Sequence, residues 1–299
     1  MSTSPAVTII IVNYNTTALT YACIRSVQAL TKISHELIVV DNASRDRTIE
    51  QVAVDFPGLI FIAQQENVGF GKANNSGIEI ASGKYILLIN SDTWLINDAI
   101  DQFYQFMEAP GNEKVGCCGA DLFTPEGNPQ VAYGNFPSLA EAIALLGFYK
   151  LFPRYFNEHL SSGVTNKDSK IKTVDYLCGA DLFLRKSVLH EIGSFNPGFF
   201  LYFEETELSY RMKKAGYSSV LLPEAKIVHL EGGSDSNPDP FNYRKIAIYA
   251  ASRKLYFKLC NGWFSAKLVQ YIYALQAIIF FIAKGKKGYL RTAKIYIQS

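Results

Sequence analysis

Four short apolar runs, at residues 7–12, 37–40, 59–63 and 85–89, punctuate the first 90 residues, and each gives way to polar residues. They are rich in Val, Ile and Leu and do not alternate with polar positions, the pattern of strands buried on both faces. Helical patterns occupy 21–30, 47–56 and 72–81 between them. Strand and helix in this rhythm predict an α/β protein built on a doubly wound, mainly parallel sheet. Ligands in such sheets sit beyond the carboxyl ends of the strands. The chemistry is therefore expected in Asn13-Tyr14-Asn15, Asp41-Asn42-Ala43-Ser44, Glu66-Asn67-Val68-Gly69-Phe70-Gly71 and Asn90-Ser91-Asp92-Thr93.

Between residues 117 and 171 the pattern loosens, and Pro125, Pro129, Pro137 and Pro153 break short segments, as loops over an active site often do. Order returns in strands at 174–178 and 182–185 and a helix at 204–215. Two further short strands, 219–222 and 226–229, close the domain ahead of a Gly232-Gly233-Ser234 turn. A chain of 299 residues with 48% hydrophobic content can bury a sizeable core, and one catalytic domain over 1–240 with an appendage over 241–299 fits it best.

Charge separates those two parts. Residues 241–299 hold eleven Lys or Arg and no Asp or Glu, whereas the first 240 residues carry 18 basic against 27 acidic groups. The five cysteines show no C-x-x-C spacing, which argues against a disulfide framework or a thiolate zinc site and for a reducing cytoplasm. The run at 7–12 is a short β-branched strand pattern, not a signal peptide.

Individual side chains suggest roles. Asp41 follows Glu-Leu-Ile-Val-Val, where a carboxylate can accept hydrogen bonds from a ribose or a base edge, although a turn or cap is the plain alternative. Asp92 ends another run and suits a hard cation that keeps bonds to substrate phosphates. His229 is a candidate further ligand, against the commoner structural histidine. Glu204, Glu205 and Glu207 open a predicted helix, where acidic residues favour the dipole, and Glu207 stands four before Arg211 as a surface pair would. The functional alternative is that one of them deprotonates an acceptor. No GxxxxGK[ST] loop and no GxGxxG is present.

Taken in order, these segments resemble the family 2 inverting glycosyltransferases of the GT-A fold, particularly the rhamnosyltransferase-like members that build bacterial surface polysaccharides. The matching pieces run from Val7-Thr8-Ile9-Ile10-Ile11-Val12-Asn13-Tyr14-Asn15 through Val40-Asp41-Asn42-Ala43-Ser44 and Asn67-Val68-Gly69-Phe70-Gly71 to Leu88-Ile89-Asn90-Ser91-Asp92-Thr93. Gly179-Ala180, Gly193-Ser194-Phe195, Phe203-Glu204-Glu205 and His229 continue the series. The resemblance implies that Asn13, Asn15, Asp41, Asn67 and Ser91 contact the nucleotide donor, with Gly69 and Gly71 allowing close backbone approach. It implies a divalent cation, Mg²⁺ or Mn²⁺, on Asp92 and His229, and Glu205 as catalytic base, with Glu204 and Glu207 as accompanying acids. Two positions depart from the family pattern: Asn90 replaces the first carboxylate of the D-x-D motif, and Glu205 and Glu207 stand where Asp is usual.

The implied reaction is a single in-line displacement that inverts the anomeric centre, with dTDP-rhamnose as first donor and UDP-hexoses or UDP-N-acetylhexosamines next. The acceptor would be a glycan or a polyprenyl-linked glycan. Residues 263–283 are long enough to span a bilayer, which needs ~20 residues, but Lys267, Gln270 and Gln276 interrupt them. Association with an anionic membrane surface is the first expectation, on the inner face of the cell membrane; a helical hairpin packed on the domain is second, a true span third. No nucleic-acid module is recognisable, and a homo-oligomer is left open. The competing functions are a non-catalytic nucleotide- or glycan-binding subunit and a nucleotidyltransferase, the latter marked by pyrophosphate release.

Overall fold

The structure, a computed structural model, describes residues 4–230, 232 and 241–299; Gly233 and Ser234 of the expected turn lie outside the described residues. The chain opens with β1 (Val7–Asn13), α1 (Thr17–Leu30), β2 (His35–Asp41), α2 (Val52–Asp55), β3 (Ile60–Ala63), α3 (Phe70–Ile80) and β4 (Tyr85–Asn90). These strands pair in parallel in the order β3-β2-β1-β4. The register aligns Asn13 with Asp41 and Val12 with Asn90, so the polar strand ends share one edge.

Winding on both faces follows from the twofold period of a strand. In β1 the odd residue Asn13 accepts from Thr20 of α1, while the even residue Ile10 lies against Gly77 of α3, where a Cβ would come within 2.7 Å of it. Helices α1 and α3 therefore cover opposite sides of the sheet. The helix expected over 47–56 is a 3₁₀ turn, Arg47–Gln51, running into the four residues of α2.

The parallel arrangement stops at β4. After β5 (Thr93–Leu95), α4 (Ala99–Glu108) and β6 (Val115–Phe123), a small sheet forms from β7 (Val131–Gly134), β8 (Val164–Thr165) and β10 (Tyr176–Leu177). Helices α5 (Leu139–Ala144) and α6 (Pro153–His159) lie within this loop-rich stretch, and β9 (Lys172–Val174) joins the main sheet. Strand β11 (Asp181–Arg185) inserts antiparallel between β4 and β6, which makes the main sheet mixed. Next come α7 (Lys186–Ile192), α8 (Glu204–Lys214) and β12 (Ser218–His229). The two short strands expected at 219–222 and 226–229 are one, because a bulge at Pro223-Glu224-Ala225 absorbs the proline while pairing with β6 resumes beyond it. Past the bulge, His229 pairs with Thr93 of β5.

Residues 241–299 form α9 (Tyr243–Asn261), α10 (Trp263–Lys284) and α11 (Gly288–Gln298). They are packed on the rest of the molecule: Tyr256, Phe257, Val269 and Ile272 share an apolar cluster with Ala142, Phe199 and Phe203. Arg253 is buried against the rings of Tyr273, Tyr249 and Tyr296. Helix α10 is long and apolar enough to cross a membrane, yet Ala266, Val269, Ile272, Ala274 and Ala277 face inward. Its outer side, with Phe264, Tyr271, Leu275, Ile278 and Ile282, is also apolar and exposed. All five cysteines are free thiols.

Candidate active site

A cleft of about 540 Å³ opens over the carboxyl ends of β1 and β4, between them and the start of α8. Its wall includes Tyr14, Thr16, Asn42, Asn67, Gly69, Ser91, Asp92, Gly179, Tyr202, Glu204, Glu205 and His229. Residues separated by more than a hundred positions meet here because the sheet edge and β12 bring their ends together.

On the β1–β2 side, the expected donor residues divide into two layers. Asn13 is fully buried, and Asp41 nearly so. Asp41 Oδ1 accepts from Asn13 Nδ2 at 2.8 Å and from Ser44 Oγ at 2.5 Å, and Oδ2 accepts from Ser44 N at 3.1 Å. Asn15, with φ of 56°, accepts from Arg45 N and donates its own N–H to Ser44 Oγ. The three residues fasten the two loops below the cleft and stand behind its lining, one layer beneath Asn42. The lining there is Asn42 and Asn67: Asn42 Nδ2 donates to Asn67 Oδ1 at 3.1 Å, and Asn42 Oδ1 accepts from Val68 N at 3.0 Å.

The glycines allow two segments of the chain to meet closely. At Gly69, φ is 89° and a Cβ would stand 2.2 Å from the Phe200 carbonyl oxygen, which accepts from Phe70 N. Gly71 is buried and absent from the lining; a Cβ on it would press within 3.1 Å of Phe195. Both permit α3 to close on the segment 195–204 that leads into the acidic helix.

Asp92 and His229 form the far wall. Their pairing follows from β5 lying on β12, and His229 Nε2 stands 3.5 Å from Asp92 Oδ1. Ser91 lines the cleft beside them, its hydroxyl 2.8 Å from that of Thr16. Among the described residues no group of three His, Cys, Asp or Glu is placed to hold a metal. One carboxylate and one imidazole nonetheless fit a cation that draws its remaining ligands from phosphate and water.

Helix α8 supplies the acids. Tyr202 and Phe203 enter it with φ of 72° and 69°, a left-handed pair that costs roughly 1–3 kcal/mol per residue. Packing offsets this cost: Phe203 lies against Tyr249 and Tyr256 of α9, and Ser252 donates to the Leu201 carbonyl at 2.7 Å. The tail thus holds the turn that aims Glu204 and Glu205 into the cleft. Glu204 is 3% exposed, and its Oε2 has no hydrogen-bond partner. Burial, and then the neighbouring Glu205 charge, push its pKa well above the usual carboxylate range. Glu205 is partly open to the cleft, accepts from the Thr206 hydroxyl, and is likewise raised by desolvation.

Glu207 behaves differently. It is buried rather than a surface residue, and Arg211 grips it with two bonds of 2.8 and 2.9 Å. The same guanidinium donates to the carbonyls of Ile192, Gly193 and Ser194. Glu207 therefore ties α8 to the loop after α7 and is not part of the cleft lining.

Sequence reasoning passed over Tyr14, Asn42, Tyr202, Arg244 and Lys245, which all line the cleft. Tyr14 and Asn42 lay in segments already singled out by their position after a strand, so that signal could have found them. Arg244 and Lys245 were legible only as part of a basic tail.

With this geometry in view, comparisons place the chain. The family model described as glycosyl transferase family 2 matches residues 8–193. A Mycobacterium tuberculosis N-acetylglucosaminyl-diphospho-decaprenol L-rhamnosyltransferase is 26% identical over 254 residues, 78% of each protein. Two solved structures share the fold. One is GalNAc-T7 with UDP, GalNAc and Mn²⁺, at TM-score 0.65 and 16% identity, covering 99% of this chain and 55% of that one. The other is the mannosyltransferase PcManGT from Pyrobaculum calidifontis with GDP-Man and Mn²⁺, at TM-score 0.55 and 14% identity, covering 99% and 86%. A strand-end cleft of this construction, under a family match over more than half the sequence, makes the chain a glycosyltransferase belonging to glycosyl transferase family 2.

Proposed function

We propose that this glycosyltransferase moves one sugar from a nucleotide-sugar donor to a hydroxyl of a glycan or polyprenyl-diphosphate-linked glycan, with inversion at the transferred carbon. The observation that carries the reading is convergence: Asp92 and His229 on one wall of the cleft and Glu204 and Glu205 on another, brought together from stretches far apart in the chain. The Mycobacterium tuberculosis relative is named an L-rhamnosyltransferase, which together with the family resemblance makes dTDP-rhamnose the first donor to test, with UDP-hexoses and UDP-N-acetylhexosamines after it.

Asn42, Asn67 and Ser91 would seat the nucleoside end of the donor, with Asn13, Asn15 and Asp41 fixing their loops from beneath. Asp92 and His229 would hold Mg²⁺ or Mn²⁺, which when bound supplies positive charge against the departing diphosphate. Both solved relatives carry Mn²⁺, in support of that assignment. Glu205 accepts the proton of the acceptor hydroxyl while that oxygen bonds to the anomeric carbon and the bond to the diphosphate breaks. A carboxylate made more basic by desolvation is suited to that proton transfer.

The tail suits work at a membrane surface. Of its cations, Lys258, Lys284, Lys286, Lys287 and Lys294 are exposed with no acid in the segment and would meet anionic headgroups on the cytoplasmic face, and the outer side of α10 is apolar. Residues 241–299 would then be an anchoring unit that also braces the catalytic part over 1–240.

Thermal-shift screening of nucleotide-sugars with and without Mn²⁺ tests the reading, since a ligand that binds the native state alone raises the melting temperature. The expected outcome is stabilisation by dTDP-rhamnose that requires Mn²⁺ and disappears in Asp92→Asn. Stabilisation of Asp92→Asn equal to wild type would remove the cation from that wall. Release of pyrophosphate instead of nucleoside diphosphate would point to nucleotidyl transfer, and sedimentation with anionic but not zwitterionic vesicles tests the membrane assignment.

A further inference from the structure

The charged lining of the cleft comprises Asp92, Glu204, Glu205, His229, Arg244 and Lys245, so Arg244 is its one guanidinium among the described residues. Asp92 and Glu205 bring negative charge to the cleft, yet under the function proposed above, on which this inference rests, the donor carries a diphosphate and so does a lipid-linked acceptor. The Asp92 and His229 wall serves the diphosphate that leaves. A second anionic group in the same cleft needs its own countercharge.

Arg244 is placed to supply it. It is exposed in the first turn of α9, where the Asn242 side chain caps the helix by accepting from Lys245 N at 3.1 Å. One turn further on, Ile248 also lines the cleft, and Tyr249 packs edge-on to Tyr202 with ring centroids 5.1 Å apart. That stretch of α9 thus lies beside the turn that carries Glu204 and Glu205, where the acceptor hydroxyl must arrive. A guanidinium offers a planar fork matched to phosphate oxygens, a geometry that a lysine ammonium lacks.

We propose that Arg244 is a specificity-determining residue that binds a substrate diphosphate, its position beside the acidic turn favouring that of a lipid-linked acceptor. The test compares wild type with Arg244→Ala and Arg244→Lys, using dTDP-rhamnose and two acceptors that carry the same sugar: farnesyl-diphosphate-linked N-acetylglucosamine and a neutral octyl N-acetylglucosaminide. In Arg244→Ala the KM for the diphosphate acceptor is expected to rise about tenfold or more, with kcat little changed and the KM of the octyl glycoside unaltered. Arg244→Lys should recover part of the loss, since it keeps the charge and not the fork. A rise confined to the KM of dTDP-rhamnose would assign the fork to the donor diphosphate instead. Unchanged KM values for both diphosphate substrates, or an equal rise for the neutral glycoside, would overturn the proposal. Calorimetry of the wild-type chain with dTDP and Mn²⁺ separates the two failures. No binding of dTDP, nor of UDP in the same titration, would sink the nucleotide-sugar reading itself, whereas binding alongside unaltered KM values in Arg244→Ala would sink this inference alone.

Discussion

Buried acids occur in two settings in this molecule, and the contrast between them tells structure from function better than residue type does. Asp41 and Glu207 have donors on both carboxylate oxygens, from Asn13 and Ser44 in one case and from Arg211 in the other. Glu204, one turn of helix from Glu207, has an oxygen with no donor at all. Folding rarely leaves a buried polar atom unsatisfied, because the lost hydration costs about 1–3 kcal/mol. Asp41 and Glu207 hold loops through their donors, whereas Glu204 keeps an acceptor unfilled in the wall of the cleft.

The contrast can be attacked by substitution, beginning where the effect is largest. Glu205→Gln should lower kcat by about 10²–10⁴ while leaving the melting temperature at or above that of wild type, because removing a desolvated acid relieves the fold. Transfer assays with a melting curve check this, and full activity in the variant would take Glu205 out of the mechanism. Glu207→Gln should do the reverse: a destabilisation of about 1.5–3 kcal/mol from loss of the two charged bonds to Arg211, read by denaturant titration, with the donor KM near wild type. If the variant lost transfer without losing stability, Glu207 would belong with the acids of the cleft.

Asp41→Ala is the sharper test of the lower layer. It strips Asn13 and Ser44 of their acceptor and should cost about 1–3 kcal/mol in denaturant titration. Unaltered stability combined with a raised donor KM would mean that Asp41 touches the nucleotide directly, as the family resemblance first implied. The smallest effect concerns pH. The folded state holds the Glu204 proton more tightly than the unfolded chain does, so stability is full below the ordinary carboxylate range and declines as pH rises toward the elevated folded value. Glu204→Gln should flatten that decline, gaining roughly 2–4 °C in Tm per kcal/mol recovered at pH 8 and little at pH 4. Parallel pH curves for variant and wild type would contradict the assigned cause.

The tail sharpens the same lesson. By composition it separates cleanly at residue 240, yet α9 braces the strained turn at Tyr202 and Phe203 and adds Arg244 to the cleft. Helix α10 shows no amphipathic stripe in its sequence because both of its sides are apolar: one is buried against α5 and α9, the other exposed. Periodicity reports a contrast between faces, and where both faces are apolar it has nothing to report.

What the sequence determined by itself was the alternation of strand and helix through β4, the sheet edge where chemistry gathers, and the acids and histidine of the cleft. Apolar runs and strand-end polar residues are local patterns, and local patterns survive in one dimension. Only the tertiary structure decided that β11 enters antiparallel, that Asp41 and Glu207 are spoken for, that Gly69 answers to Phe200, and that a basic helix reaches back to the cleft. Those outcomes depend on which distant atoms supply a donor or fill a space, a matter of hydrogen-bond satisfaction and close packing that no spacing along the chain encodes.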